Sequence, residues 1–147
     1  MIKIVIAEDQ EMLREAFAAL LDLEEDMTVV GVAHNGEEAV KLVHEKKPDI
    51  CLMDIEMPGK TGLEAAEELK GCGCKLIILT TFARSGYFQR AVNSEVNGYM
   101  LKDNPSEELV SAIRNVMDGR QIYAPELMDD CYKQEKPLTV SEDGIKT

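Results

Sequence analysis

Short apolar segments alternate along the chain with longer amphipathic segments. The short segments are rich in β-branched residues, which is typical of strands that are buried on both faces of a sheet. These predicted strands are Ile2–Ala7, Thr28–Ala33, Ile50–Asp54, Leu76–Thr80 and Gly98–Leu101. Between them, apolar residues recur at helical spacing and predict helices. The predicted helices are Glu11–Leu23, Glu37–Glu45, Leu63–Lys70, Gly86–Ser94 and Ser106–Met117.

The order of these segments predicts an α/β fold. Five strand–helix units favour a doubly wound, five-stranded parallel sheet with five helices that cover both of its faces. In such sheets the functional crevice lies at the carboxyl ends of the strands. The pattern changes after Gly119, so we assign residues 1–119 to one domain and residues 120–147 to a linker or tail. Within that tail, Gln121–Pro125 is interpreted as the segment by which the chain leaves the domain.

Composition and charge narrow the possible functions. The 147-residue chain has a formal net charge of −12, and such an acidic surface repels DNA phosphates. No apolar run approaches the ~20 residues that a membrane helix needs, and the apolar N-terminus is too short for a signal peptide. We therefore expect a cytoplasmic protein that does not bind membranes.

The four cysteines do not form a metal-binding pattern. Cys51, Cys72, Cys74 and Cys131 lack paired C-x-x-C spacing, and no histidine lies near Cys72 or Cys74 in the sequence. A zinc site is therefore not expected. Cys51 lies in an apolar strand and is predicted to be a buried, reduced thiol.

Chemically active side chains lie at or just after the carboxyl ends of four of the predicted strands. Glu8 and Asp9 follow the first strand, Asp54 and Thr80 end the third and fourth, and Lys102 follows the fifth. Carboxylates held this close need a positive partner, and oxygen ligands suit Mg²⁺. An aspartate beside Mg²⁺ and a lysine can attack a phosphoryl group, while the two cations stabilise the charge on the transferring oxygens.

These residues and their spacing resemble the response-regulator receiver family of the CheY-like superfamily. The resemblance rests on Glu8-Asp9, residues 53–59 (MDIEMPG), Thr80-Thr81 and Lys102, and it spans about Met1 to Gly119. Residues 54–62 and 98–103 are similar to the NarL/LuxR subfamily and, within it, to the DesR-like regulators. The resemblance implies a flavodoxin-like receiver fold and a two-component signalling function.

The resemblance also implies the roles of individual residues. Asp54 would be the phosphoacceptor, and Asp9, Asp54 and the backbone carbonyl of Glu56 would bind Mg²⁺. Glu8 would act through a metal-bound water. This position is often aspartate in receivers, and here it is the longer glutamate.

A second set of residues would respond to phosphorylation. Thr80 would hydrogen-bond the phosphoryl group, Lys102 would pair with it, and Tyr99 would be an aromatic switch that turns inward when Thr80 moves. Without the resemblance, Tyr99 is interpreted as a buried strand aromatic. Many receivers have proline after this lysine, whereas Asp103 follows Lys102 here. We therefore leave the geometry of that peptide bond unassigned.

The implied partners are a sensor histidine kinase and a second copy of the chain. Dimerisation on phosphorylation would use the first and fifth helices, whose mixed faces suit a reversible contact. The residues in question are Arg14 and Glu15 on the first helix and Glu107, Ser111 and Arg114 on the fifth. Control of transcription would require a C-terminal helix-turn-helix domain, for which the chain has no room before Thr147. We expect either a fragment or a protein that lacks that domain.

Two other functions remain open at this point. A small Mg²⁺-dependent phosphohydrolase would also use an aspartyl nucleophile, and Glu56 stands two residues later, where such enzymes place a general acid/base. No obvious substrate cap accompanies it. A receiver-like module that is never phosphorylated is the third interpretation, and the intact Asp9, Asp54, Thr80 and Lys102 argue against it. Labelling with acetyl phosphate, set against a turnover assay, separates the three.

Overall fold

The computed structural model describes residues 1–80, 87–101 and 107–123. Its strands are β1 (Ile2–Ala7), β2 (Met27–Ala33), β3 (Ile50–Asp54), β4 (Lys75–Thr80), β5 (Gly98–Leu101) and β6 (Ile122–Tyr123). Its helices are α1 (Glu11–Asp22), α2 (Gly36–Lys46), α3 (Gly62–Leu69), α4 (Tyr87–Asn93) and α5 (Glu107–Met117). The predicted α/β fold is therefore confirmed. Three residues named in the predictions lie outside the described residues: Gly86, Lys102 and Ser106. The structure therefore does not test the predictions that concern them.

The sheet is parallel throughout and has the order β2-β1-β3-β4-β5-β6. Five strands were predicted, and β6 is an addition. It lies in the segment interpreted as the exit of the chain, where Ile122 and Tyr123 pair with Gly98 and Tyr99 of β5. Two residues are too few to show the alternation of apolar and polar residues that predicts a strand, so only its pairing with β5 defines β6.

The core has two halves, one on each face of the sheet, because alternate strand residues point to opposite faces. Ile4 and Ile6 of β1 pack with α1 and α5, whereas Val5 and Ala7 pack on the face covered by α2, α3 and α4. The predicted buried thiol of Cys51 lies in the second half and is confirmed. None of the described helices has the length and apolar composition needed to cross a membrane.

The start of α3 is defined by a capping box. Thr61 accepts a hydrogen bond through its hydroxyl from the Glu64 backbone N–H, and Glu64 accepts one through its carboxylate from the Thr61 backbone N–H. The two bonds satisfy backbone donors that the first helical turn leaves without partners. They fix where α3 begins, only a short loop after the end of β3.

Candidate functional site

Three carboxylates meet at the carboxyl ends of two paired strands. Glu8 and Asp9 follow β1, and Asp54 is the last residue of β3. One carboxylate oxygen from each residue lies within 4.8 Å of the other two. After these strands the chain turns to opposite faces of the sheet, into α1 and α3 respectively, and such a switch point is where open α/β sheets form their functional crevice.

Local hydrogen bonds hold the end of β1. The Glu8 backbone N–H donates to the Ala33 carbonyl at 3.0 Å, which extends the pairing with β2 beyond the last strand residue. The Glu8 carboxylate accepts from the Gln10 backbone N–H at 3.0 Å, and Arg14 Nη1 donates to the Glu8 carbonyl at 2.8 Å. Glu8 is thereby held 1% exposed, whereas Asp9 remains open to solvent.

Asp54 is positioned by the loop that follows it. Its Oδ1 accepts a hydrogen bond from the Glu56 backbone N–H at 3.2 Å. The Ile55 N–H donates to the Leu79 carbonyl of β4 at 3.1 Å, and the Ile55 carbonyl accepts from the Gly62 N–H at 3.1 Å. A Cβ at Gly62 would lie 2.2 Å from the Asp54 carbonyl oxygen, so only glycine allows this close approach.

The next strand along the sheet, β4, brings one further predicted residue to the same end of the sheet. Thr80 ends β4 and is 1% exposed, and it is the register partner of Leu101, the last residue of β5. Lys102 follows Leu101 in the chain and lies outside the described residues. Its predicted approach to Asp54 therefore stays a prediction.

Tyr99 is a fully buried residue of β5. Its ring contacts that of Tyr123 in an edge-on arrangement, with ring centroids 6.5 Å apart. Tyr123 in turn donates from its hydroxyl to the Val96 carbonyl at 3.0 Å. In this structure Tyr99 therefore already occupies an inward position, which suits both a core aromatic and the inward form of a switch.

Tyr87 is a contributor that sequence reasoning missed. Its hydroxyl donates to the Glu56 carboxylate at 3.1 Å and so connects the first residue of α4 to the loop after β3. Both residues line a cavity of about 440 Å³ beside Asp9. Nothing in the sequence signals this contact, because the two residues are 31 positions apart and their segments meet only in the folded chain.

The chemistry of the cluster fits a hard divalent cation. Carboxylate oxygens, completed by water, are the ligands that Mg²⁺ takes in proteins. Gathering carboxylates in a partly buried site also costs electrostatic energy that a cation offsets. Asp9 is the exposed member of the cluster, and it borders the cavity that Tyr87 and Glu56 also line.

Comparison with known proteins agrees with this geometry. The family described as the response regulator receiver domain matches residues 4–114. The chain belongs to the response regulator receiver family. It is 65% identical over 145 residues to the transcriptional regulatory protein DesR of Bacillus subtilis (strain 168), covering 99% of this chain and 73% of DesR.

Solved structures support the same assignment of the receiver domain. A LuxR-family DNA-binding response regulator from Staphylococcus aureus is 44% identical with a TM-score of 0.75, covering 80% of this chain and 99% of that one. A LuxR-family two-component regulator from Aurantimonas sp. SI85-9A1 is 27% identical with a TM-score of 0.83, covering 92% and 98%. The resemblance to the NarL/LuxR subfamily is thus confirmed. The protein contains a receiver domain of a two-component response regulator whose relatives regulate transcription.

Family membership weakens the phosphohydrolase alternative. That alternative required Glu56 to act as a general acid/base toward a substrate. Here the Glu56 carboxylate accepts a hydrogen bond from Tyr87, and the relatives of this receiver are regulators of transcription.

Proposed function

We propose that Asp54 accepts a phosphoryl group from a sensor histidine kinase. The observation that carries the proposal is the placement of Asp54 at the strand switch point with Glu8 and Asp9, their oxygens mutually within 4.8 Å. In the transfer, a carboxylate oxygen of Asp54 attacks phosphorus, a new O–P bond forms, and the N–P bond to the kinase histidine breaks. The histidine leaves as the neutral imidazole after it takes up a proton.

Mg²⁺ is the proposed cofactor. Asp9, Asp54 and the backbone carbonyl of Glu56 would hold it directly, and Glu8 would hold one of its waters. When bound, the ion neutralises charge on the transferring oxygens. Burial of Glu8 and Asp54 supports this assignment, because two buried carboxylates beside a third need a compensating positive charge.

We assign the response to phosphorylation to Thr80, Lys102 and Tyr99. A phosphoryl group adds about −1.5 to −2 charge at Asp54, and Lys102 would pair with it while the Thr80 hydroxyl donates a hydrogen bond. Thr80 ends the strand next to β3, which supports its part in this contact. The buried ring of Tyr99 corresponds to the inward position assigned to the switched state.

A reversible homodimer is the proposed output, and α1 supplies part of the surface. Met12 and Leu23 are 83% and 80% exposed although both are large and apolar. With Ala16 and Ala19 they recur at the i, i+4, i+7 and i+11 spacing, so they form a stripe on one side of α1 that ends at Leu23, the residue after the helix. The opposite side of α1 already packs on the sheet through Phe17 and Leu21.

The charged residues predicted for this contact are partly engaged within the chain. Arg114 of α5 donates hydrogen bonds to Asp26 and Glu24, the shortest at 2.7 Å. Glu15, Glu107 and Ser111 are exposed. The apolar stripe of α1, rather than Arg114, is therefore the feature we assign to the contact.

DNA binding would need an output domain beyond residues 120–147, and a cytoplasmic location fits this function.

Acetyl phosphate labelling tests the acceptor. With Mg²⁺, intact-mass spectrometry should show one added phosphoryl group on the wild type and on the Asp118→Asn control, which removes an exposed carboxylate elsewhere. Asp54→Asn should remain unlabelled, and removal of Mg²⁺ with EDTA should prevent labelling of the wild type. Equal labelling of Asp54→Asn would rule out Asp54 as acceptor, and an unlabelled wild type would favour a module that is never phosphorylated.

A further inference from the structure

A hydrogen bond joins α4 to the loop that follows the phosphoacceptor. The Tyr87 hydroxyl donates to Glu56 Oε2 at 3.1 Å, across 31 positions of the chain. Tyr87 is partly buried and is the first residue of α4, so the helix determines where its ring begins. The proposed phosphotransfer step does not use this bond.

The backbone of Glu56 lies next to the acceptor, whereas its carboxylate lies apart from the acidic cluster. The Glu56 backbone N–H donates to Asp54 Oδ1 at 3.2 Å. Among the described residues, the carboxylates that gather within 4.8 Å of one another are those of Glu8, Asp9 and Asp54. The Glu56 side chain therefore begins beside Asp54 but is directed to Tyr87.

The main chain around Glu56 is held by hydrogen bonds of the loop. The Ile55 carbonyl accepts from the backbone N–H groups of Met57 and Gly62, both at 3.1 Å. The Ile55 N–H donates to the Leu79 carbonyl of β4, also at 3.1 Å. Because the backbone is held, the freedom of the Glu56 carboxylate lies in its side-chain torsions, and the Tyr87 hydroxyl restricts them.

The position of this carboxylate matters for an anionic substrate. Glu56 and Tyr87 line the cavity of about 440 Å³ that Asp9, the exposed member of the acidic cluster, also lines. A phosphodonor is an anion, and a carboxylate turned toward its path repels it. A fourth carboxylate directed at the cluster would add to the repulsion that Mg²⁺ has to offset.

Arg90 provides a separate link between α4 and α3. Its Nη2 donates to Glu67 Oε2 of α3 at 3.3 Å, three residues after Tyr87. Attachment of α4 to its neighbour therefore does not depend on Tyr87 alone. Arg90 consequently allows the attachment of α4 to be tested separately from the position of Glu56.

We propose that Tyr87 is a positioning residue for phosphotransfer, which holds the Glu56 carboxylate aside and so keeps a fourth negative charge away from the anionic phosphodonor. This inference rests on the proposed function of Asp54. Tyr87 itself takes no part in making or breaking bonds. Tyr87→Phe keeps the ring as a wall of the cavity and removes the hydroxyl that restrains Glu56.

Labelling by acetyl phosphate at low ionic strength and constant Mg²⁺ tests the proposal. Tyr87→Phe should lower the second-order rate constant roughly 5-fold, the effect of repulsion between two unit charges about 4 Å apart in water. About 1 M salt, at which the Debye length is about 3 Å, should remove most of this difference. In a Glu56→Gln background, Tyr87→Phe should cause no further slowing, because no charge is left to position.

Beryllofluoride provides a measurement without any transfer step. It is an anion that takes the place of the phosphoryl group, so the same repulsion should oppose it. The beryllofluoride concentration that gives half-maximal thermal stabilisation should rise in Tyr87→Phe by a factor similar to the loss of labelling rate. An unchanged concentration would contradict an electrostatic role for the Tyr87–Glu56 bond.

Two variants are the controls. Tyr123→Phe removes another tyrosine hydroxyl, which donates to the Val96 carbonyl at 3.0 Å. Arg90→Gln removes the ion pair with Glu67 and leaves the Tyr87–Glu56 bond in place. Both variants should label as fast as the wild type at low and at high salt.

Several outcomes would overturn the proposal. One is a Tyr87→Phe variant that labels as fast as the wild type. Slowing that persists at high salt or in the Glu56→Gln background, or that Arg90→Gln reproduces, would show that attachment of α4 matters and the charge of Glu56 does not. A wild type that takes no label would overturn the proposed function as well. A labelled wild type with an unlabelled Asp54→Asn retains that function, whatever Tyr87→Phe does, so the two failures are distinguishable.

Discussion

Gly62 shows how the absence of a side chain allows close packing against Asp54. A Cβ at this residue would lie 2.2 Å from the carbonyl oxygen and 2.9 Å from the carbonyl carbon of Asp54. These are backbone atoms, so they cannot turn aside as a flexible side chain does. The first turn of α3 therefore packs directly on the end of β3, and the geometry of Asp54 depends on that contact.

We expect Gly62→Ala to lower the free energy of unfolding by about 1–3 kcal/mol, the usual cost of overpacking. It should also slow labelling of Asp54 by acetyl phosphate, because the backbone of Asp54 has to shift. Urea unfolding and intact-mass kinetics measure the two effects.

Gly59→Ala is the matched control. Gly59 has a φ of +72°, and apart from Gly59 and its two chain neighbours no described residue has an atom within 4 Å of the place that a Cβ would take, so alanine there is strained without a clash. It should be less destabilising than Gly62→Ala. If the two variants label equally fast, the close packing of Gly62 does not position Asp54.

At the scale of an element, α3 depends on the charge state of its capping box. The hydrogen bond from the Thr61 backbone N–H is the main cause that lowers the pKa of the Glu64 carboxyl below its ordinary value of 4.5. A lowered folded-state pKa means that the ionised carboxylate stabilises the fold. This contribution is present above pH 4.5 and is lost as the pH falls through the lowered value.

Glu64→Gln tests this dependence on pH. At neutral pH the variant should unfold at slightly lower urea concentration than the wild type, because Gln keeps the cap geometry but loses the charge. The difference should shrink as the pH falls below 4.5, since the wild-type carboxyl then becomes neutral too. Glu107→Gln, an exposed first-turn acid of α5, is the control. A Glu64→Gln difference that stays constant from neutral to strongly acidic pH would contradict the proposed linkage.

For the whole molecule, self-association has to overcome like charge. The chain has a formal net charge of −12, so two copies repel each other at long range. An apolar contact such as the α1 stripe with Met12 and Leu23 can still hold them, because hydrophobic burial acts at short range. The balance fits the proposed dimer, which would form only when the domain is switched.

Sedimentation with and without beryllofluoride, a phosphoryl mimic, measures this equilibrium. The wild type should shift toward a dimer with the mimic. Met12→Glu should stay monomeric because it places a charge in the stripe. Val92→Glu, a change at a partly exposed apolar residue of α4, should dimerise as the wild type does. A monomeric wild type in both samples, or a Val92→Glu variant that alone fails to dimerise, would exclude the α1 surface.

Much of this architecture is local in origin and was predictable from the sequence. β1, β3 and β5 have the predicted bounds, and every predicted helix is present in the described residues with small shifts at its ends. The spacing of hydrophobic residues and the capping residues each involve only a few neighbouring positions, so both can be recognised in a single sequence. Because the strands are parallel, placing Glu8, Asp9 and Asp54 at strand ends was enough to predict that they meet.

Other features depended on tertiary structure alone. The pairing of β6 with β5, the bond from Tyr87 to Glu56, and the bond between Arg114 and Asp26, which are 88 positions apart, follow no local pattern. Each requires knowing which elements are neighbours and which way individual side chains point. Periodicity determines which face of an element is buried, but only the packed chain determines what that face, or the loop beside it, touches.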